Sequence, residues 1–126
     1  MMKVFAPFMK NFPYLELKDM YEENQELIGD DQSFDDVILR TMFFGFMENE
    51  TVLGGIYFYE NNSRTFVNAF AGRKTYKQNE ACLKWTLNGF RCPIYARTRH
   101  RYVRLRLLKL GFKKVEENIY KYERTN

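Results

Sequence analysis

Several residue types are scarce in this chain of 126 residues, and each scarcity excludes a class of protein. Two cysteines cannot form the disulfide framework of a small secreted domain, and one histidine leaves few ligands for a zinc site. No apolar run approaches the roughly 20 residues that cross a bilayer, and residues 1–7 lack the apolar core of a secretory signal. We therefore expect no metal site and no membrane span. We expect a cytoplasmic protein, or one packaged from the cytosol.

The chain is rich in residues that form a packed core. Apolar residues make up 45% and aromatic residues 17%, and the twelve Phe and nine Tyr favour strands. No linker, repeat or low-complexity segment interrupts the sequence, so residues 1–126 are predicted to form a single domain. Cys82 and Cys92 are expected to be small buried hydrophobic residues.

Charge is distributed very unevenly along the chain. Residues 1–60 carry four basic and twelve acidic side chains, a balance of −8, whereas residues 61–114 carry fourteen basic and one acidic, a balance of +13. This segregation favours an anionic partner for the second half, whether a phosphorylated ligand, a nucleic acid backbone or an acidic protein surface. The alternative is that the two halves attract each other across the fold.

The spacing of apolar and turn residues predicts four helices and a series of strands. Asn11 and Ser33 are expected to cap the first two helices, and Gly29 and Gly111 to end the first and the fourth. The helices are predicted at about 12–28, 34–42, 78–87 and 101–110. The later strands are predicted at 43–48, 51–59, 64–71, 92–98, 112–115 and 119–122.

The resulting order of elements is β, α, α, β, β, β, α, β, α, β, β. The strand–helix–strand crossover through residues 64–98 is expected to place two parallel strands side by side, and these strands are expected to splay apart at one end. The helix at 78–87 is expected to turn Ala81, Trp85 and Cys82 inward. The core is predicted to include Trp85, Leu87, Leu107, Leu108 and Phe112.

Within residues 100–112, the helix predicted at 101–110 closes on Leu110-Gly111, and Phe112 opens the next predicted strand. In this motif and in its element order the chain resembles the GNAT superfamily of acyl-CoA N-acyltransferases. That resemblance covers about residues 43–123 by motif and order, and the N-terminal third by order alone. It implies an α/β (α+β) fold with a mixed, mostly antiparallel central sheet and helices on both faces.

The resemblance also implies acetyl-CoA as the acyl donor. In the family, a loop of the form Arg/Gln-x-x-Gly-x-Gly/Ala opens the helix after the fourth strand, and its backbone N–H groups bind the CoA pyrophosphate. Residues 74–79 match this loop here, with Lys77 and Asn79 in place of the two glycines. The cofactor-binding residues so implied are Arg73, Lys74, Lys77, Gln78, Asn79, His100 and Arg101.

The catalytic residues of the family have no direct counterpart in this sequence. Leu107 stands where the family often has a tyrosine that protonates the departing thiolate, and the fourth strand lacks a carboxylate that could act as base. Glu60, at the end of the preceding strand, is the nearest candidate base, and the alternative is a solvated turn residue. His100 stands where the family has Asn, either as a helix cap or as a phosphate contact.

Two functions of different classes are therefore open. One is an acetyl-CoA-dependent N-acetyltransferase with a degenerate pyrophosphate loop. The other is a non-catalytic GNAT-fold binding module, similar to small basic bacteriophage-encoded members, some of them virion or host-interaction proteins, which would place it in the host cytoplasm or the virion. A nonspecific nucleic-acid binder is a third interpretation, because residues 97–114 hold eight basic residues and no acidic one, a basic patch.

Overall fold

Eleven elements follow one another along residues 2–124, the part of the chain that the computed structural model describes. The strands are β1 (Met2–Phe5), β2 (Met42–Glu48), β3 (Thr51–Asn61), β4 (Arg64–Ala71), β5 (Ile94–Arg97), β6 (Lys113–Glu116) and β7 (Ile119–Tyr122). The helices are α1 (Tyr14–Ile28), α2 (Phe34–Arg40), α3 (Tyr76–Asn88) and α4 (Arg101–Leu110). This order confirms the one that the sequence predicts.

Turn and cap residues set the ends of most helices. The Asp36 N–H donates to Ser33 Oγ at 3.1 Å, which confirms the cap of α2. Gly29 and Gly111 end α1 and α4 in left-handed conformations, with φ of 74° and 105°. The predicted cap of α1 is wrong. Asn11 itself has a φ of 67° and forms part of a turn, and the helix begins only after Pro13.

The seven strands pair in a single sheet in the order β1-β2-β3-β4-β5-β7-β6. The β4–β5 pair is parallel, and the other pairs are antiparallel. The predicted fold class, a mixed and mostly antiparallel sheet with helices, is therefore confirmed. No helix within residues 2–124 is long and apolar enough to cross a membrane.

Two apolar clusters attach the helices to opposite faces of the sheet. The cluster beneath α1 and α2 includes Leu17, Tyr21, Phe34, Val37, Phe43, Tyr57 and Phe70. The cluster beneath α3 and α4 includes Leu83, Leu87, Ile94, Leu107, Phe112 and Tyr120. Because successive side chains of a strand point to opposite faces, β4 contributes to both clusters, with Phe70 in the first and Val67 in the second.

The prediction that Trp85 lies in the core is wrong, since it is 71% exposed. The buried side of α3 runs through Cys82, Leu83 and Leu87. With 100° between successive residues, that side excludes both Trp85 and Ala81, which are exposed. Trp85 lies instead next to the edge strand β1.

The last helix gives a mixed result. Leu107 and Phe112 are buried as predicted, but Leu108 is 47% exposed because one step along the helix turns it away from the sheet.

Cys82 is buried as predicted, but the prediction that Cys92 is buried is wrong, since it is exposed. It lies in the loop before β5, which begins at Ile94, two residues later than the sequence predicts.

Candidate functional site

The strands β4 and β5 are paired at one end only. Their parallel ladder joins Thr65 to Ile94 and Phe66 to Tyr95, whereas β4 continues to Ala71 and β5 to Arg97. Beyond the ladder the strands diverge, which confirms the predicted splay. Backbone groups on the facing edges of the diverging segments are thus left without partners from the opposite strand.

The divergence opens a cleft with a cavity volume of about 160 Å³. Residues 67–71 of β4 and 96–98 at the end of β5 form its walls. The helical residues that line it are Asn24, Leu27 and Ile28 of α1, Tyr76, Asn79, Glu80 and Leu83 of α3, and Val103, Arg106, Leu107 and Leu110 of α4. Because α1 packs on one face of the sheet and α3 and α4 on the other, the cleft connects the two faces.

The N-terminus of α3 lies at this cleft without a side-chain cap. Thr75 holds the cap position, but its hydroxyl donates to the Leu53 carbonyl oxygen at 2.6 Å and makes no cap hydrogen bond. The first intrahelical bond runs from the Asn79 N–H to the Thr75 carbonyl at 3.0 Å. The N–H groups of residues 76–78 therefore lack helical partners, and together with the positive end of the helix they favour an anion.

Asn79, in the last small position of the family's loop, turns its side chain toward the sheet. The residue is 3% exposed, and its Nδ2 donates to the Phe70 carbonyl oxygen of β4 at 3.1 Å. Its buried Oδ1 accepts no hydrogen bond within the described residues. A Cβ on Gly54 would collide with the same Phe70 oxygen and lie 2.8 Å from Asn79 Cγ, so this close packing requires glycine at 54.

The start of α4 is also uncapped by a side chain. His100 stands at the cap position, but its side chain makes no cap hydrogen bond. Its backbone N–H donates to Thr98 Oγ1 at 3.0 Å. The interpretation of the His100 side chain as a helix cap is therefore wrong, and a phosphate contact stays a prediction.

An ion pair joins α3 to α4 at the cleft. Arg106 donates from Nε to Glu80 Oε2 at 2.9 Å and from Nη2 to the same oxygen. The guanidinium carbon of Arg106 lies 4.7 Å from the ring centroid of Tyr76 and 5.5 Å from that of Tyr102. One arginine thus contacts three side chains from two helices, and the Glu80 carboxylate already has Arg106 as its partner.

Sequence reasoning did not include this arginine in the site. In the helical spacing of α4, Arg106 lies at the boundary of the apolar side that holds Val103 and Leu107. A residue three positions after Val103 shares its side of the helix, so this spacing was the available signal. Glu80 gave another signal, because it is the one acidic residue in a segment with fourteen basic ones.

The structure distributes the predicted site residues around the cleft. Asn79 lines it, and the other predicted cofactor residues are exposed around the starts of α3 and α4, namely Arg73, Lys74, Lys77, Gln78, His100 and Arg101. Glu60 is not brought to the cleft. It lies opposite Thr65 in the β3–β4 ladder, at the end where β4 is still paired with β5.

The cleft offers few groups for proton transfer. Leu107, at the family's tyrosine position, is 7% exposed and contributes only methyl groups to the lining. The phenol that lines the cleft belongs to Tyr76, and the carboxylate that lines it, Glu80, is held by Arg106. Within residues 2–124, no group of three or more His, Cys, Asp and Glu side chains is placed to hold a metal ion.

A hydrogen-bonded chain of side chains fixes one wall of the cleft. Asn68 Nδ2 donates to Tyr57 Oη at 3.2 Å, and the Tyr57 hydroxyl donates to Asp30 Oδ2 at 2.6 Å. Burial, together with the hydrogen bond to Asp30 and its charge, raises the pKa of Tyr57 well above its usual value. Tyr57 therefore stays a neutral phenol and orients Asn68, which lines the cleft.

The ion pairs do not connect the acidic and basic halves of the chain. Those of the described residues are Arg64–Glu116, Arg106–Glu80 and Lys121–Glu123. Each lies within residues 61–124, so along residues 2–124 no salt bridge links the first sixty residues to the basic segment. Direct pairing between the halves therefore does not account for the charge segregation.

The sequence matches no protein-family model and no curated relative. Solved structures do match. An acetyltransferase from Agrobacterium tumefaciens aligns with a TM-score of 0.66 at 11% identity, over 98% of this chain and 91% of that chain. An N-acetyltransferase from Staphylococcus aureus aligns with a TM-score of 0.63 at 15% identity, over 96% and 93%. An N-acetyltransferase from Bacillus subtilis, solved in complex with coenzyme A, aligns at 0.57 and 15% identity, over 98% and 97%.

This chain has the fold of those acetyltransferases. The expectation of a GNAT-like fold, drawn from the motif between His100 and Phe112 and from the order of elements, is confirmed at the level of the fold. The alignments cover nearly the whole of both partners. The site residues, the bacteriophage origin and the cytoplasmic location stay predictions.

Proposed function

We propose that this protein binds acetyl-CoA and transfers its acetyl group to an amine. The observation that carries this proposal is the cleft between β4 and β5, which opens beside the uncapped N-terminus of α3. An extended arm with amide groups can pair with the free backbone edges of two diverging strands. A pyrophosphate can bind the N–H groups of a first helical turn. The cleft and the start of α3 beside it offer the strand edges for the arm and the N–H groups for the pyrophosphate.

The residues that replace the family's glycines are compatible with this ligand. The Asn79 side chain points to the Phe70 carbonyl and so does not stand in front of the helix start. Lys77 is exposed, and together with Arg73 and Lys74 it adds positive charge around the first turn of α3. His100 and Arg101, at the start of α4, are the remaining groups that we assign to the phosphates.

Acetyl-CoA would supply a thioester carbonyl as the electrophile. Backbone N–H groups of β4 in the cleft would polarise that carbonyl oxygen, and the apolar walls formed by Val67, Ala69 and Leu107 would exclude water. Because Leu107 cannot donate a proton, we expect the departing thiolate to take up the proton that the amine loses on forming the amide bond. Because Glu80 is bound to Arg106, we expect the acceptor amine to lose its proton to solvent, so the rate should rise with pH toward the pKa of that amine.

Calorimetric titration with acetyl-CoA tests the binding step. Lys77→Glu places a negative charge beside residues 76–78 and should abolish binding. Lys84→Glu is the matched control, because it makes the same charge change on an exposed position two turns along α3, and it should leave binding nearly unchanged. Binding that survives Lys77→Glu would contradict the placement of the pyrophosphate. No binding by the parent protein would refute the proposal.

The second candidate is a non-catalytic GNAT-fold module that binds a partner, including a virion or host-interaction protein of a bacteriophage. Leu107 at the tyrosine position and the paired Glu80 favour it. Release of free thiol from acetyl-CoA in the presence of polyamines or amine-containing peptides separates the two candidates. Thiol release that depends on an added amine, and that is lost in Lys77→Glu together with acetyl-CoA binding, supports the enzyme. Binding without any transfer supports the module.

A further inference from the structure

Three aromatic rings form a continuous row on the side of the sheet that carries α1 and α2. Tyr59, Phe66 and Tyr95 come from the neighbouring strands β3, β4 and β5. The ring centroids of Tyr59 and Phe66 lie 5.6 Å apart, and those of Phe66 and Tyr95 lie 5.8 Å apart. Tyr59 packs against the cluster beneath α1 and α2, which places the row on that side. We call these three rings the aromatic row.

Two of the cations on the aromatic row already have carboxylate partners. The guanidinium carbon of Arg64 lies 4.7 Å from the ring centroid of Tyr95, and Lys121 Nζ lies 5.9 Å from the same centroid. Arg64 pairs with Glu116 at 2.8 Å, and Lys121 pairs with Glu123 at 2.6 Å. At this end of the row the positive charges are therefore matched within the protein.

Arg97 is the third cation of the row, and along residues 2–124 it forms no ion pair. Its guanidinium carbon lies 5.2 Å from the ring centroid of Phe66, which is 2% exposed. The arginine itself is exposed and lines the cleft. A guanidinium whose flat face rests on a ring keeps the N–H groups at its edge free, and these match the two oxygens of a carboxylate. Arg97 is thus an oriented anion-binding group at the cleft.

Asn68 stands level with Arg97 on the other side of the cleft. In the parallel ladder Phe66 pairs with Tyr95, so two further residues on each strand bring Asn68 and Arg97 to the same level. Asn68 Nδ2 donates to the Tyr57 hydroxyl, which leaves Oδ1 to accept a hydrogen bond from a ligand in the cleft. Two residues of strand, roughly 7 Å, separate Asn68 from the ring on which Arg97 rests.

We propose that Arg97 binds the carboxylate of the acceptor, so that the protein acetylates the amine of an α-amino acid. The amine nitrogen of such an acceptor is about 2.5 Å from its carboxylate carbon. A carboxylate hydrogen-bonded to Arg97 at about 2.8 Å therefore carries the amine toward Asn68 Oδ1. Since the proposed pyrophosphate site lies at α3, on the opposite face of the sheet, the acceptor can enter the same cleft from the α1 side. This inference rests on the proposed acetyltransferase function and names its acceptor.

Thiol release from acetyl-CoA with matched acceptors tests the inference. Each of the common L-α-amino acids would be compared with the amine formed by its decarboxylation, for example L-phenylalanine with phenethylamine. With the parent protein, at least one amino acid should be a better acceptor than its decarboxylated amine. Arg97→Gln should raise the KM for that amino acid by about 10- to 150-fold, the range for a hydrogen bond to a charged group. The preference over the decarboxylated amine should then disappear.

Arg64→Gln is the matched control, because it removes an arginine that rests on the neighbouring ring but is paired with Glu116. It should leave the KM for the amino acid nearly unchanged. Calorimetry with acetyl-CoA keeps this inference apart from the proposed function, since Arg97→Gln should bind acetyl-CoA like the parent. No binding of acetyl-CoA by the parent would refute both. Acetyl-CoA binding with no transfer to any amino acid, with equal transfer to the decarboxylated amines, or with equal rises in KM for Arg64→Gln and Arg97→Gln would overturn this inference alone.

Discussion

Two adjacent leucines in α4 allow a matched test of the packing that forms the cleft. Leu107 is 7% exposed and packs under the helix, whereas Leu108 is 47% exposed. Leu107→Ala removes buried methyl groups and leaves a cavity, so it should cost about 3–5 kcal/mol of the free energy of unfolding. Leu108 gains only about half of the roughly 1.5–3 kcal/mol of full burial, so Leu108→Ala should cost about 1 kcal/mol.

Urea denaturation followed by circular dichroism would measure both variants against the parent. The two substitutions change helix propensity equally, so the difference of about 2–4 kcal/mol reports burial. For a domain of this size, Leu107→Ala should also lower the Tm by about 10 °C or more. Equal costs for the two variants would show that α4 is rotated on the sheet. Leu107 and Arg106 would then not line the cleft.

Three further predictions concern local features. Gly29→Ala should cost about 1–2 kcal/mol of the free energy of unfolding, because a side chain is strained at a φ of 74°. Nothing lies within 4 Å of an added Cβ, so backbone strain is the whole cost. Gly29→Asn should cost less in the same denaturation assay. Ser33→Ala should cost about 1 kcal/mol by loss of the α2 cap, and Ser33→Asp should restore most of it. Above pH 10 the free energy of unfolding should fall as pH rises, because unfolded chains release the Tyr57 proton that burial retains in the folded state. Below pH 10 both states keep this proton, so it contributes no pH dependence there. Tyr57→Phe should flatten the alkaline arm of the curve of stability against pH.

The fold could be predicted from the sequence because its signals are local. Ser33 with Asp36, and Gly111 after a helical run, set element ends through contacts within a few residues. The change from helical to alternating periodicity located β2, β3 and β4 to within two residues. Given that order, the crossover rule placed two parallel strands together, and β4 and β5 are so paired.

The site was predicted less completely because its contacts are distant in sequence. Arg106 and Glu80 are 26 positions apart and meet only because α3 and α4 lie together across the cleft. Asn79 was assigned to a phosphate loop, yet its amide packs on the Phe70 carbonyl, a contact that depends on the close approach of α3 to β4. Trp85 was predicted to face inward from the helical spacing of residues 78–87. Its orientation depends on the helix rotation that Leu83 and Leu87 set.

The topology turns the charge segregation of the sequence into a separation in space. The first sixty residues supply α1 and α2 on one face of the sheet, and the basic segment supplies α3 and α4 on the other. Since no described ion pair joins the two groups, the field on the side of α3 and α4 is not cancelled locally and favours the approach of any anion. The proposed pyrophosphate site uses this field at the start of α3. A pyrophosphate needs Lys77 at the helix start and is indifferent to Lys84, two turns further along α3. Lys77→Glu and Lys84→Glu, both measured against acetyl-CoA, therefore distinguish a cofactor site from general attraction of an anion to this side of the molecule.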